Sequence, residues 1–282
     1  MSSIDRYAVI GELIGHSQSP RIHTLFAAAT RQEMRYALID VGVAGFAGAV
    51  REFFSGGGRG LNVTVPHKHT ALQLADTLTP RARRAGAVNT LARGLAGTTD
   101  TSVLGDNTDG AGLVRDLTIN LGFKLRGARL LLLGAGGAAR GIIAPLLEAG
   151  AASLAISNRH GARAQELAQE FADLGPVRAA PNADGRGAAP YDLIINATSA
   201  SLRGELPLIS AATVGTQTLC YDCAYAEHDT VFMTWARGAG AARAVMGLGM
   251  LVEQAAESFL LWRGLRPDTA PVLAALQAPA GE

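Results

Sequence analysis

Residues Ala128 to Gly150 read ARLLLLGAGGAARGIIAPLLEAG. The apolar run Leu130 to Leu133 is short enough for a buried strand and is bounded by glycine. Gly134, Gly136 and Gly137 follow, and the apolar-rich segment Ala138 to Leu147 reads as a helix ending at Gly150. Gly134-x-Gly136-x-x-Ala139 in a strand–turn–helix setting seats a dinucleotide pyrophosphate on a helix N-terminus. The first glycine makes the tight turn, the second lets backbone approach phosphate, and the small third residue lets helix and strand pack closely. A glycine-rich turn between strand and helix with no ligand would carry the same residues. Pro145 withholds one backbone donor from the predicted helix.

The choice between NAD and NADP falls on the residue ending the next strand, roughly 20 positions beyond the glycines. An acid there would bond the ribose 2′-hydroxyl. This chain has Ser157-Asn158-Arg159-His160 and then Arg163, with no acid before Glu166. Two guanidiniums near a predicted helix start suit a 2′-phosphate. A merely solvated basic helix start is the alternative, disfavoured by the helix dipole unless an anion offsets it. The pattern predicts NADP(H).

Composition narrows the class. The chain has 282 residues, long enough for two domains, with 48% hydrophobic and 17% charged residues, which argues for a globular protein and against disorder. A net charge of +1 gives no reason to expect nucleic acid or an anionic membrane as partner. Apolar runs are strand-sized, so no transmembrane helix is predicted. The start, MSSIDRYAVIGEL, has no basic region followed by a hydrophobic one, and a cytoplasmic protein is expected. Apolar content suits a monomer or a homodimer equally. Cys220 and Cys223 form a Cys-Tyr-Asp-Cys pair. A redox pair or half a zinc site would use that spacing. With no second such pair and no helix start after Cys220, buried thiols on a strand are favoured, and no metal site is expected.

Along the chain, strands are expected at 6–14, 36–41, 61–65, 85–91 and 103–105, with helices at 21–31, 43–54, 69–76 and 111–121. Beyond the glycine turn follow strands at 153–157, 193–196 and 218–221 and helices at 163–173, 230–239 and 251–262, with a frayed C-terminus. This alternation predicts an α/β protein with mostly parallel sheets. Polar clusters fall at the ends of predicted strands in the first half: Ser17-x-Ser19, Asn62-x-Thr64, Lys68, Asn89-Thr90 and Asn107-Thr108-Asp109. Ligands bind beyond the carboxyl ends of strands in such sheets, and hydroxyls and amides suit a polyhydroxylated substrate. Lys68 and Asp109 supply acid–base capacity. Ser17, Ser19, Asn89 and Thr90 read equally as caps and turns, and Lys68 alone as a solvated lysine.

Nine stretches in order make the chain similar to the shikimate dehydrogenase family. They are IGHSQSPRIH (14–23), GLNVTVPHK (60–68), AGAVNTL (85–91), GDNTDGAG (105–112), LLGAGGAARG (132–141), SNR (157–159), NATS (196–199), YDCAY (221–225) and GLGMLVEQAAESF (247–259). The resemblance implies a two-domain α/β enzyme that reversibly reduces 3-dehydroshikimate to shikimate with NADPH, in aromatic amino acid biosynthesis. It implies a substrate domain of residues 1–108 and 247–282, a Rossmann-type NADP-binding domain of residues 109–246, and an active site in the cleft between them. On this resemblance, Lys68 and Asp109 are the catalytic pair. Ser17 and Ser19 hold the substrate carboxylate with Tyr225 assisting, and Asn62, Thr64, Asn89, Asp109 and Gln254 bind the ring hydroxyls. Gly134, Ala135, Gly136, Gly137 and Ala138 cradle the pyrophosphate, Asn158, Arg159 and Arg163 the adenosine phosphate, and Gly247 and Met250 the nicotinamide side.

The chain departs from the family pattern at Thr24, His160, Ala200-Ser201 and Glu227, where the family more often has Asn, Thr, Ser-Gly and Pro. These touch cofactor detail more than reaction class. A quinate/shikimate dehydrogenase using NAD or both cofactors is the competing enzyme reading, and a non-catalytic sensor of shikimate or NADP the competing reading of another class.

Overall fold

A computed structural model describes residues 4–94, 102–180 and 189–278. The chain divides into two compact units, 1–112 with 251–282, and 113–250.

The first unit runs β1 (Asp5–Gly11), α1 (Ser19–Thr30), β2 (Met34–Asp40), α2 (Phe46–Ser55), β3 (Gly58–Val63), α3 (Lys68–Leu74), β4 (Thr77–Leu78), α4 (Pro80–Ala85), β5 (Thr90–Arg93) and β6 (Val103–Asp106), and enters α5 (Asp109–Arg115). The strand order is β2-β1-β3-β5-β6-β4. β1 pairs in parallel with β2 and β3, and β4 with β6, while β5 runs antiparallel to both its neighbours. Apolar spacing of four puts Phe46, Val50 and Phe54 of α2 against Ala8, Ile10, Leu61 and Val63 of the sheet. Ile22 and Phe26 of α1 pack with Val252, Ala255 and Phe259.

The second unit continues through a π-helical turn (Asp116–Asn120), β7 (Arg129–Leu133), α6 (Gly137–Glu148), β8 (Ser153–Ser157), α7 (Gly161–Glu170), β9 (Val177–Ala179), β10 (Leu193–Asn196), β11 (Leu219–Asp222), α8 (Val231–Gly238) and β12 (Arg243–Met246). Its sheet is wholly parallel in the order β12-β11-β10-β7-β8-β9. That is the doubly wound order, reversing between β7 and β10. Leu130 and Leu132 enter one core and Leu131 and Leu133 the other, because successive side chains of a strand point to opposite faces. Each such burial contributes about 1.5–3 kcal/mol. The chain then enters α9 (Leu248–Arg263) and α10 (Ala270–Gln277).

Three expectations are corrected. The strand expected at 85–91 is the end of α4, a turn and the start of β5. Thr79 caps α4 by accepting from the Ala82 amide, Pro80 opens it, and left-handed Gly86 closes it. The helix expected at 111–121 begins at Asp109 and changes to a π turn at Asp116. Within the end expected to be frayed, residues 270–277 form α10, opened by Thr269 and a proline in its first turn, with Val272 buried beside Ile22 and Phe26, while 279–282 lie outside the described residues. α6 runs through Pro145 to Glu148. Among the described residues no helix is long and apolar enough to cross a membrane.

Candidate active site

The registers β3/β5 and β5/β6 set Asn62 opposite Thr90, and Thr90 opposite Asp106. Strand ends thereby deliver Asn62, Asn89 and Asn107–Asp109 to one edge of the sheet. Lys68 is the first residue of α3 and Asp109 the first of α5. Lys68 Nζ donates to Asp109 Oδ2 at 2.5 Å, and the two side chains are only 13% and 5% exposed. An ion pair so shielded from water is stronger than one at the surface.

Asp109 is held from behind. Asn89 Nδ2 donates to Asp109 Oδ1 at 2.9 Å, lies 2.8 Å from Thr108 Oγ1 and 3.2 Å from Gln254 Oε1. Asn89 Oδ1 accepts from the Thr108 amide and from Thr90 Oγ1. The Asp109 amide donates to Asn107 Oδ1, and Asn107 Nδ2 to the Ala87 carbonyl. Asn62 Nδ2 donates to Thr90 Oγ1 and Ser258 Oγ, and Asn62 Oδ1 accepts from Tyr36 OH at 2.7 Å. Both amide hydrogens of Asn62 are thus engaged within the protein. The network is dense because each of these groups is buried, and a buried polar group left unpaired is costly.

Ser258 and Tyr36 belong to this network and were missed in the sequence. Ser258 stands four residues after Gln254, on the same helix face, which was the available signal. Tyr36 had none, being one aromatic in a strand. Ser17 Oγ accepts from the Ser19 amide at 3.3 Å, so Ser17 does act as a turn residue. Ser19, only 5% exposed, opens α1, and among the described residues its hydroxyl has no hydrogen-bond partner. Ser19 and Thr64 follow the carboxyl ends of neighbouring strands, β1 and β3. His23 is wholly buried, stacked on Tyr36 with ring centroids 4.2 Å apart. Burial pushes its pKa down to about 3, so the ring is neutral near pH 7.

In the second unit, Gly134 sits where the strand order reverses. Its amide donates to the Ser157 carbonyl and its φ is +114°. A Cβ there would lie 3.0 Å from the Ala197 carbonyl oxygen. Gly136 precedes α6, and a Cβ on it would meet no atom within 4 Å. The helix N-terminus is therefore open to an anion such as a pyrophosphate. Arg159 lies just past β8 and Arg163 in the first turn of α7. Both are exposed, and among the described residues neither has a salt-bridge partner. Asn158 Nδ2 donates to the His160 carbonyl. These groups fit an NADP adenosine phosphate. Tyr225 is partly buried beyond β11. The Gly247 amide donates to the Ala224 carbonyl, and Met250 is buried. Cys220 lies in the β11 core, where burial pushes its thiol up to about 12, far from thiolate chemistry at neutral pH. Cys223 follows the strand, partly buried, and among the described residues neither cysteine forms a disulfide.

Residues 9–91 match the shikimate dehydrogenase substrate binding domain, 117–214 the shikimate / quinate 5-dehydrogenase domain, and 247–277 the shikimate 5′-dehydrogenase C-terminal domain. The chain is 54% identical over 278 residues to the shikimate dehydrogenase (NADP(+)) of Aeromonas hydrophila, covering 99% of each. It is 53% identical over 276 residues to that of Vibrio cholerae, covering 98% of this chain and 97% of the other. Among solved structures it is similar to an Ael1 enzyme from Pseudomonas putida, with a TM-score of 0.88, 44% identity and coverage of 98% and 99%. The shikimate 5-dehydrogenase of Thermus thermophilus in complex with NADP(H) and shikimate gives a TM-score of 0.83 at 33% identity, with coverage of 96% and 98%.

Proposed function

This chain belongs to the shikimate dehydrogenase family, and we propose that it catalyses the reversible, NADPH-dependent reduction of 3-dehydroshikimate to shikimate with Lys68 and Asp109 as its catalytic pair. The observation that carries the assignment of the pair is the shielded contact between Lys68 Nζ and Asp109 Oδ2 at 2.5 Å. Bound NADPH supplies the hydride. Reduction of a ketone builds negative charge on its oxygen, and a cationic Lys68 beside that oxygen stabilises the transition state and delivers the proton. In the oxidative direction Lys68 accepts the proton from the substrate hydroxyl. Asp109 orients the ammonium, and Asn89 fixes Asp109 from the opposite carboxylate oxygen.

Ser17, Ser19, Thr64 and Gln254 hold the substrate in this reading, with Tyr225 assisting, and Asn62 and Asn89 serve through the network that orders them. Gly134 to Ala138 hold the pyrophosphate, Asn158, Arg159 and Arg163 the 2′-phosphate end, and Gly247 and Met250 the nicotinamide side. A cytoplasmic location and a monomeric or homodimeric state belong to the same proposal.

Initial rates with shikimate and with quinate, each against NADP and NAD, test the assignment. A kcat/KM for shikimate with NADP at least about tenfold above the other pairs, roughly 1.4 kcal/mol of transition-state discrimination, is expected. Comparable rates with quinate or NAD would make it the broader dehydrogenase, and no turnover by folded protein would make it a binding protein.

A further inference from the structure

Asp116 is a carboxylate only 3% exposed, and it opens the π turn of residues 116–120. Single π turns occur frequently at functional sites. The wholly buried Tyr221 of β11 donates its hydroxyl to Asp116 Oδ2 at 2.6 Å, and Asn120 Nδ2 donates to Asp116 Oδ1 at 2.9 Å. Burial, with Asp116 alongside, holds the Tyr221 pKa well above its ordinary value, so the hydroxyl stays a donor. The Tyr221 oxygen in turn accepts from the Met250 amide at 3.3 Å. Asp116 also abuts Gly249 so closely that a Cβ on that glycine would overlap the carboxylate. A π turn, a buried carboxylate and a buried hydroxyl thus converge on the backbone of two consecutive residues. Packing alone asks for none of this, since apolar side chains of similar shape fill such space at no cost in stability.

We propose that Tyr221 and Asp116 are positioning residues, a buried clasp that fixes the 247–250 segment and so sets the nicotinamide end of the cofactor for hydride transfer. The inference rests on the reading above that Gly247 and Met250 face the nicotinamide. Removing the Tyr221 hydroxyl frees the Met250 amide and leaves Asp116 one donor short. The loss falls on the nicotinamide half of the cofactor and spares the half held by Arg159 and Arg163.

The experiment compares dissociation constants for NADPH and for 2′-phospho-ADP-ribose, which keeps the adenosine phosphate and pyrophosphate and lacks nicotinamide. Tyr221→Phe is expected to weaken NADPH about fivefold, the scale of one hydrogen bond, and to lower kcat, with 2′-phospho-ADP-ribose bound as in the wild type and KM for shikimate unchanged. Retained binding of the fragment shows that the variant is folded. Asp116→Leu, which removes the acceptor that holds Tyr221 and is close in size, gives the same comparison if Tyr221→Phe does not fold. Met250→Ala tests the underlying reading and is expected to separate the two ligands on its own. If Met250→Ala separates them and Tyr221→Phe does not, the clasp is overturned and the placement of the segment stands. If neither does, the segment is not beside the nicotinamide and both fall. Equal weakening of both ligands by Tyr221→Phe marks a general structural role and also overturns the proposal.

Discussion

Lys68 and Asp109, 41 residues apart in the chain, meet as the opening residues of two helices, with Nζ 2.5 Å from Oδ2. A carboxylate is favoured at a helix N-terminus and an ammonium is not. Asp109 is therefore in a comfortable position, whereas Lys68 depends on Asp109 to offset its own helix end. The contact holds the Lys68 ammonium in place and shielded from water, the setting that stabilises a developing alkoxide.

Lys68→Ala should lower kcat by roughly two to four orders of magnitude, the range of general acid–base catalysis, with little change in KM for shikimate. Steady-state kinetics decide it. A variant with normal kcat would falsify the assignment.

Arg159→Ala combined with Arg163→Ala should raise KM for NADP roughly ten- to a hundredfold, the scale of lost hydrogen bonds to a charged group, and leave KM for NAD nearly unchanged. Equal effects on both cofactors would show that neither guanidinium reads the 2′-phosphate.

Gly134→Ala forces a side chain onto a backbone at φ +114° and brings its Cβ to 3.0 Å from the Ala197 carbonyl. Strain of about 1–3 kcal/mol is expected. Thermal unfolding should come several degrees lower, with weakened NADPH binding. An unchanged Tm and affinity would mean that the turn relaxes freely.

His23 gives a stability prediction with a definite sign. Its folded pKa of about 3 lies below the ordinary 6.5, so the unfolded chain binds the extra proton first. Stability is then fully present above about pH 6.5 and is lost as pH falls toward 3, at a limiting slope of about 1.4 kcal/mol per unit. Tm of the wild type should fall more steeply from pH 7 to pH 4 than that of His23→Phe, which keeps the aromatic stack. Parallel pH profiles would exclude His23 as the source.

Much of the fold was legible because its signals are local. Leu130–Leu133, the glycines after them and the apolar run to Leu147 occur in consecutive order, so strand, turn and helix could be read from spacing alone. Thr79-Pro80 and Gly86 also mark a helix locally, yet the apolar residues Ala85 to Leu91 drew that stretch toward a strand. α10 was missed for a different reason. An alanine- and proline-rich end has weak propensity of its own, and its order comes from burying Val272 beside α1.

The second α/β unit, the basic residues past β8 and the set of polar residues that could serve a hydroxylated substrate are legible in the chain alone, because composition and spacing carry those properties. Folding in three dimensions sets which of these residues touch. It joined Lys68 to Asp109, locked Asn62 between Tyr36 and Ser258, and drew Asp116 to Tyr221. Those contacts depend on strand register, on where each helix starts and on the burial that makes an unpaired polar group costly, and all three are set by packing between segments distant in the chain.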